Sequence, residues 1–171
     1  MGLIIPFPLE RPAGAGLVAA LDVAERTLLA GLRAWVAAFR RAEDPLPPLR
    51  AGFAAAGVAG AAGPVHALMA ILARTARHIV EIRCPRCPHL SADEQRLLQA
   101  ASLAQVGMGA LAERVLRAAM LTAPGAEFAL GPLQGVADIF AAAGLVFGRH
   151  LPPDEPPGGS SHPDAPPPVL H

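Results

Sequence analysis

The chain has no lysine, no asparagine and no tyrosine, and only two cysteines and one tryptophan among its 171 residues. Each absence removes a class of chemistry. Without lysine there is no Schiff-base catalysis and no phosphate-loop lysine, and neither a Walker loop nor a dinucleotide-binding glycine motif occurs. Four serines are present, none in a nucleophile motif. Few aromatic and few β-branched residues argue against a sheet protein. Two cysteines are too few for a disulfide scaffold. With no basic, apolar leader at the start, they predict a reducing, cytoplasmic setting. All fourteen basic residues are arginine and fourteen acids balance them, so no net field draws the chain toward nucleic acid or an anionic membrane.

Alanine is what the sequence has in abundance, 37 residues of it. It combines the best helix propensity with little volume, so the composition predicts short helices packed close together. The expected fold is all-α: an irregular bundle of five or six Ala/Leu-rich helices forming a single domain over 14–148. An extended N-terminal arm over 1–13, with three prolines in its first twelve residues, precedes it. A tail over 149–171 follows, and eight of the 17 residues from Pro152 to Pro168 are proline, which predicts disorder.

Periodicity places the helices. Leu21, Leu28, Leu32, Trp35 and Phe39 recur at helical spacing between about Leu17 and Arg41, with Asp22, Glu25, Arg26, Arg33 and Arg40 on the other faces. Pro47 and Pro48 open a short second helix carrying Leu49 and Phe53, closed near Gly57. A third starts at Gly63–Pro64 and must stop by Arg83; its apolar stripe is Val65, Leu68, Met69, Leu72, Ala76, Ile79 and Val80. Residues 51–73 carry no charge over a length that could cross a bilayer. Their Ala and Gly content and the Gly–Pro break argue for two amphipathic helices instead. Ser91 and Glu94 form a capping box for a fourth helix using Leu97, Leu98, Ala101 and Ala104. It breaks at Gly107–Met108–Gly109. The fifth helix, with Leu111, Val115, Leu116 and Met120, stops before Pro124, and the sixth spans about Gly131 to Phe147. The core is expected to include Leu21, Leu28, Leu32, Trp35, Phe39, Leu68, Leu72, Leu98, Leu116 and Phe140.

The stretch "EIRCPRCPHLSADEQRLL", residues 81–98, holds both cysteines. Its Cys84-Pro-Arg-Cys87 spacing resembles the knuckle of zinc-ribbon and rubredoxin-like sites, where two thiolates from one turn take half of a tetrahedral ion. That resemblance implies zinc held by Cys84 and Cys87; the remaining ligands would be His89 and then His78, with His66 or a partner chain as the alternatives. It departs from the family at Pro88, where a glycine usually supplies an amide to sulfur, and in the lack of a second CxxC. A redox pair is the other chemical reading, since Arg83, Arg86 and the N-terminus of the capped helix favour thiolate. A proline-stiffened turn with two reduced cysteines is the structural one.

Residues 97–124 resemble one tetratricopeptide repeat, with Ala100, Leu103, Gly107, Ala112, Leu116, Ala119 and Pro124 near the family's characteristic positions. Arg96 stands where that family has tryptophan and no second copy follows, so the likeness implies a helical hairpin rather than a superhelix. The stretch from Leu90 to Leu116 also resembles the helix-turn-helix of response-regulator DNA-binding domains. Its would-be recognition surface is mostly alanine and leucine, which argues against base readout.

Two functions are expected from this. The first is a non-catalytic protein–protein interaction or self-association module, with a protein partner or a second copy as ligand. The second is a regulatory protein in which the Cys84/Cys87 turn senses metal or redox state. Neither catalytic residues nor cofactors other than zinc are indicated, and neither nucleic acid nor a membrane is the expected partner.

Overall fold

The computed structural model describes residues 16–148. The arm expected at 1–13 and the tail expected at 149–171 lie outside the described residues. The protein is all-α. Among the described residues there are six α-helices and no strand: α1 (Val23–Arg40), α2 (Leu46–Ala55), α3 (Ala62–Thr75), α4 (Ala92–Gln105), α5 (Gly109–Ala119) and α6 (Ala123–Ala142), with 3-10 turns at Val18–Ala20 and Ala59–Ala61. None of these helices is long and apolar enough to cross a membrane.

Local chemistry explains most boundaries. Asp22 and Glu25 form a reciprocal capping box, so α1 begins at Val23 rather than near Leu17. Ser91 and Glu94 do the same for α4, as expected. Three helices end on glycines in the left-handed region, Gly57, Gly107 and Gly144. In each the glycine amide bonds back three residues and the next amide five, as in Gly107 N to the Ala104 carbonyl and Met108 N to the Leu103 carbonyl. The C-terminus of α1 makes the same pair of bonds with Ala42 at φ 56.

Alanine sets the packing. α6 lies against α3, α4 and α5, and α4 and α5 form the expected hairpin. The small side chains Ala100, Ala101, Ala104, Ala112, Ala126, Ala129 and Ala137 of α4, α5 and α6 are all buried in the shared core. Larger residues fill the spaces between, with Phe53 edge-on to Phe140 and Phe140 stacked on Phe147. A Cβ at Gly31 of α1 would collide with the Phe53 ring of α2, so only glycine permits that crossing.

Three expectations are corrected. The periodicity predicts α6 from about Gly131 to Phe147. It begins eight residues earlier, at Ala123, and runs through Pro132 to Ala142. Pro124 occupies the first turn, where its missing N–H costs nothing, and Thr122 caps the Gly125 amide. Pro132 forgoes one backbone bond, and the burial of Ala126, Ala129, Leu133 and Val136 on either side holds the helix through it. Beyond α6, the Gln105 side chain accepts from Phe147 N and donates to the Leu145 carbonyl, fixing an extended segment.

The second correction concerns α3, whose apolar stripe continues through Ile79 and Val80 although the helix stops at Thr75. Thr122 N donates to the Thr75 carbonyl and Arg77 N to the Met120 carbonyl, making an antiparallel bridge between Ala76 and Leu121. These long-range bonds replace the next helical turn, and Ile79 is left 95% exposed. The third correction is Phe39. Of the ten residues expected in the core it alone is exposed, at 58%, because no element covers the last turn of α1.

Candidate functional site

Between α3 and α4 the chain runs for sixteen residues, 76–91, without regular secondary structure. Connections of that length inside a compact domain are uncommon and tend to be functional. This one is ordered by a buried ion pair that periodicity could not show, because Arg33 reads as an outer-face residue of α1. Arg33 is instead 2% exposed and Glu94 is fully buried.

The pair organises the whole second half of the connection. Arg33 Nε donates to Glu94 Oε1 at 2.8 Å and its NH2 to Oε2 at 3.0 Å. Two of the three remaining guanidinium hydrogens reach the loop: NH1 donates to the Cys87 carbonyl at 2.7 Å and NH2 to the His89 carbonyl at 2.9 Å. Glu94 completes its own shell by accepting from Arg83 N at 3.0 Å and Ser91 N at 2.9 Å. One carboxylate therefore caps α4, pairs with α1 and fixes Arg83. Such a pair gains its stability only when its remaining donors and acceptors find partners, and the loop carbonyls and the two amides supply most of them. Arg33 is separated from Glu94 by 61 residues.

Held at its two flanks, the cysteine segment closes as a turn, Cys87 N donating to the Cys84 carbonyl at 3.1 Å. Pro85 suits the second position of such a turn. Cys84 is exposed and Cys87 half-buried, both as free thiols. Two donors meet the Cys87 sulfur, the His89 backbone amide first and then the Arg83 guanidinium, with NH1 at 3.8 Å. Together they hold the Cys87 thiol below the ordinary range. The amide that Pro88 cannot supply thus comes from the residue after it. Arg83 also lies 3.4 Å from Glu81 Oε1 as an ion pair.

Neither expected histidine joins the two thiols in a set of three among the described residues. His78 Nε2 is 3.2 Å from Asp93 Oδ2, on a carboxylate that also accepts from Glu81 N. His89 is exposed and engages the site through its backbone alone, its carbonyl on Arg33 and its amide on sulfur. Among the described residues no three His, Cys, Asp or Glu side chains converge as a metal ion requires. His66, a further histidine of the helical core, accepts from Trp35 Nε1 at 3.1 Å through Nδ1.

The first half of the connection forms one wall of an open groove of about 590 Å³. Its floor is buried Trp35, Met69, Leu72 and Ile82. Phe39, stacked on Trp35 with ring centroids 4.9 Å apart, stands on one side and Ile79 and Val80 on the other. Arg40 and Arg77 lie at the rim. Arg77 NH2 donates to the Arg117 and Ala118 carbonyls, closing the C-terminal end of α5. The arginines clustered at 74–86 are therefore partly committed to the fold, Arg77 to α5 and Arg83 to Cys87. Comparison with protein families, with curated proteins and with solved structures finds no match to this chain.

Proposed function

We propose that the protein is a non-catalytic interaction module that receives an apolar, acid-flanked peptide segment of another protein. The receiving surface is the groove between α1 and residues 76–82. One observation carries this reading: Phe39 and Ile79, large and apolar, are 58% and 95% exposed on the two sides of a groove whose floor is already apolar. Exposed apolar surface gathered in a concave patch marks a binding site more often than scattered single residues do.

Charge selects the partner. Arg40 and Arg77 line the groove, and among the described residues neither makes an ion pair. A segment with Asp or Glu beside its apolar side chains satisfies both features. Self-association through this face would instead bring two arginine-rimmed patches together, which like-charge repulsion opposes.

The test is selection of random peptides displayed on phage against the full chain, repeated with a Phe39→Asp/Ile79→Asp variant shown to fold by circular dichroism. Enrichment of apolar, acid-flanked peptides is expected. Their affinity should fall roughly tenfold or more in the variant, since each buried apolar side chain contributes about 1.5–3 kcal/mol. No enrichment, or equal binding to the variant, overturns the reading. So does a stable homodimer that the variant dissociates.

A further inference from the structure

We infer that Cys84 and Cys87 form a redox-active dithiol, in which Cys87 is the attacking sulfur and Cys84 the resolving one, with low-molecular-weight disulfides as the oxidant. This site is separate from the groove, and nothing in it depends on the peptide reading.

Four features on one turn support it. Closure of the turn by the Cys87 N to Cys84 carbonyl bond keeps the two Cα atoms within about 7 Å, the span a disulfide bridges. The sulfurs differ in surroundings: Cys87 receives the His89 amide and the Arg83 guanidinium, while Cys84 is exposed to solvent. The Arg33–Glu94 clamp holds the Cys87 and His89 carbonyls and the Arg83 backbone amide, which fixes the main chain on both sides of the Cys87 sulfur. Finally, a guanidinium 3.8 Å from Cys87 Sγ repels a metal cation but stabilises a thiolate. The same arrangement that disfavours zinc at this turn favours thiol–disulfide exchange.

The chemistry balances in two steps. Cys87 thiolate attacks one sulfur of a disulfide RSSR, forming a Cys87–SR mixed disulfide and releasing RS⁻. Cys84 loses its proton to solvent and attacks the Cys87 sulfur, forming the Cys84–Cys87 bond and releasing a second RS⁻. Two electrons pass from the cysteine pair to the oxidant. The two released thiolates take up the two protons the cysteines have lost. Stabilisation of the Cys87 thiolate favours the reduced form, so the internal disulfide is one that excess thiol readily reopens.

The experiment exposes the full chain to oxidised glutathione at neutral pH, quenches with acid and reads intact masses, for wild type, Cys84→Ser and Cys87→Ser. Wild type is expected to lose two hydrogens as one intrachain disulfide and to regain them with reduced glutathione. Cys84→Ser should stop at the mixed disulfide on Cys87. Cys87→Ser should react roughly tenfold more slowly, having only a solvent-exposed thiol with no donor pair. Arg83→Gln keeps both thiols and gives an independent reading: the pH midpoint for alkylation of Cys87 should lie below that of the urea-unfolded chain in wild type and move up in the variant. Persistent reduction of wild type overturns the proposal. Persistent mixed disulfides, interchain dimers, equal rates for the two serine variants, or a Cys87 midpoint unmoved by Arg83→Gln do the same.

Discussion

Residues 106–108 and residues 76–91 both connect consecutive helices. The first connection turns within three residues on Gly107 at φ +79, with the Gly107 and Met108 amides closing the last turn of α4. Nothing outside the hairpin is needed. The second is held from a distance: Thr122 and Met120 pair with its start, and Arg33 of α1 and Glu94 of α4 pin its end. A tight turn is a local property of the chain, whereas a long ordered connection takes its conformation from groups far away in sequence. Both candidate sites lie on the second kind, which fits the tendency of functional residues to sit on loops positioned by a rigid scaffold.

Disrupting the remote clamp should have the largest effect. Glu94→Ala leaves Arg33 buried without its partner and should cost about 3–5 kcal/mol of unfolding free energy in urea titrations. Replacing both with methionine should recover much of that loss, because the stranded charge is gone. The Cys87 alkylation midpoint should nevertheless rise toward the unfolded value, since the turn loses its anchor. If the double replacement is as damaging as the single one, the clamp is not the organising element.

Local turns should respond by smaller amounts. Gly107→Ala forces a Cβ into the left-handed region and should cost about 1–2 kcal/mol. The reciprocal change is more telling, because Ala42 already occupies that region at φ 56 at the end of α1 and is exposed. Ala42→Gly should stabilise the protein by about 0.5–1 kcal/mol, the relief of strain exceeding the added freedom of the unfolded chain. A destabilising result would mean that the end of α1 is not held as its hydrogen bonds indicate.

The smallest effect belongs to the groove wall. Ile79→Ser removes a side chain that is 95% exposed and should change stability by no more than about 0.5 kcal/mol. It should weaken peptide binding all the same. A substantial loss of stability would show that Ile79 is covered in the folded protein, and would remove the groove as a docking surface.

The pH response of the dithiol follows from the direction of the Cys87 shift. A thiol whose value is lowered by folding contributes stability that is fully present above the ordinary thiol range. That contribution is lost as pH falls through the lowered value. Reduced wild type should therefore become more stable as the pH rises through the thiol range, and Cys87→Ser should lack that increment.

Much of the fold was legible in residues whose effect is local. Ser91 and Glu94 announced the start of α4, Gly57 and Gly107 marked the ends of α2 and α4, and the alanines announced close packing. The Asp22–Glu25 box was equally readable by the same spacing rule and would have placed the start of α1. The start of α6 was less plain, because Pro132 inside the helix costs one backbone bond that the packing around it outweighs.

Sequence alone determined that this chain is helical and where most of its helices stop, since capping, glycine conformation and proline geometry act within a few residues. Tertiary structure decided which side chains those helices cover. A helical period shows that Phe39 and Ile79 are apolar and that Arg33 is charged. Only the placement of neighbouring elements leaves the first two in solvent and buries the third against a carboxylate 61 positions away. The cysteine turn was visible as a motif. Its chemistry depends on an arginine from α1 and a glutamate from α4, which meet only in the folded protein.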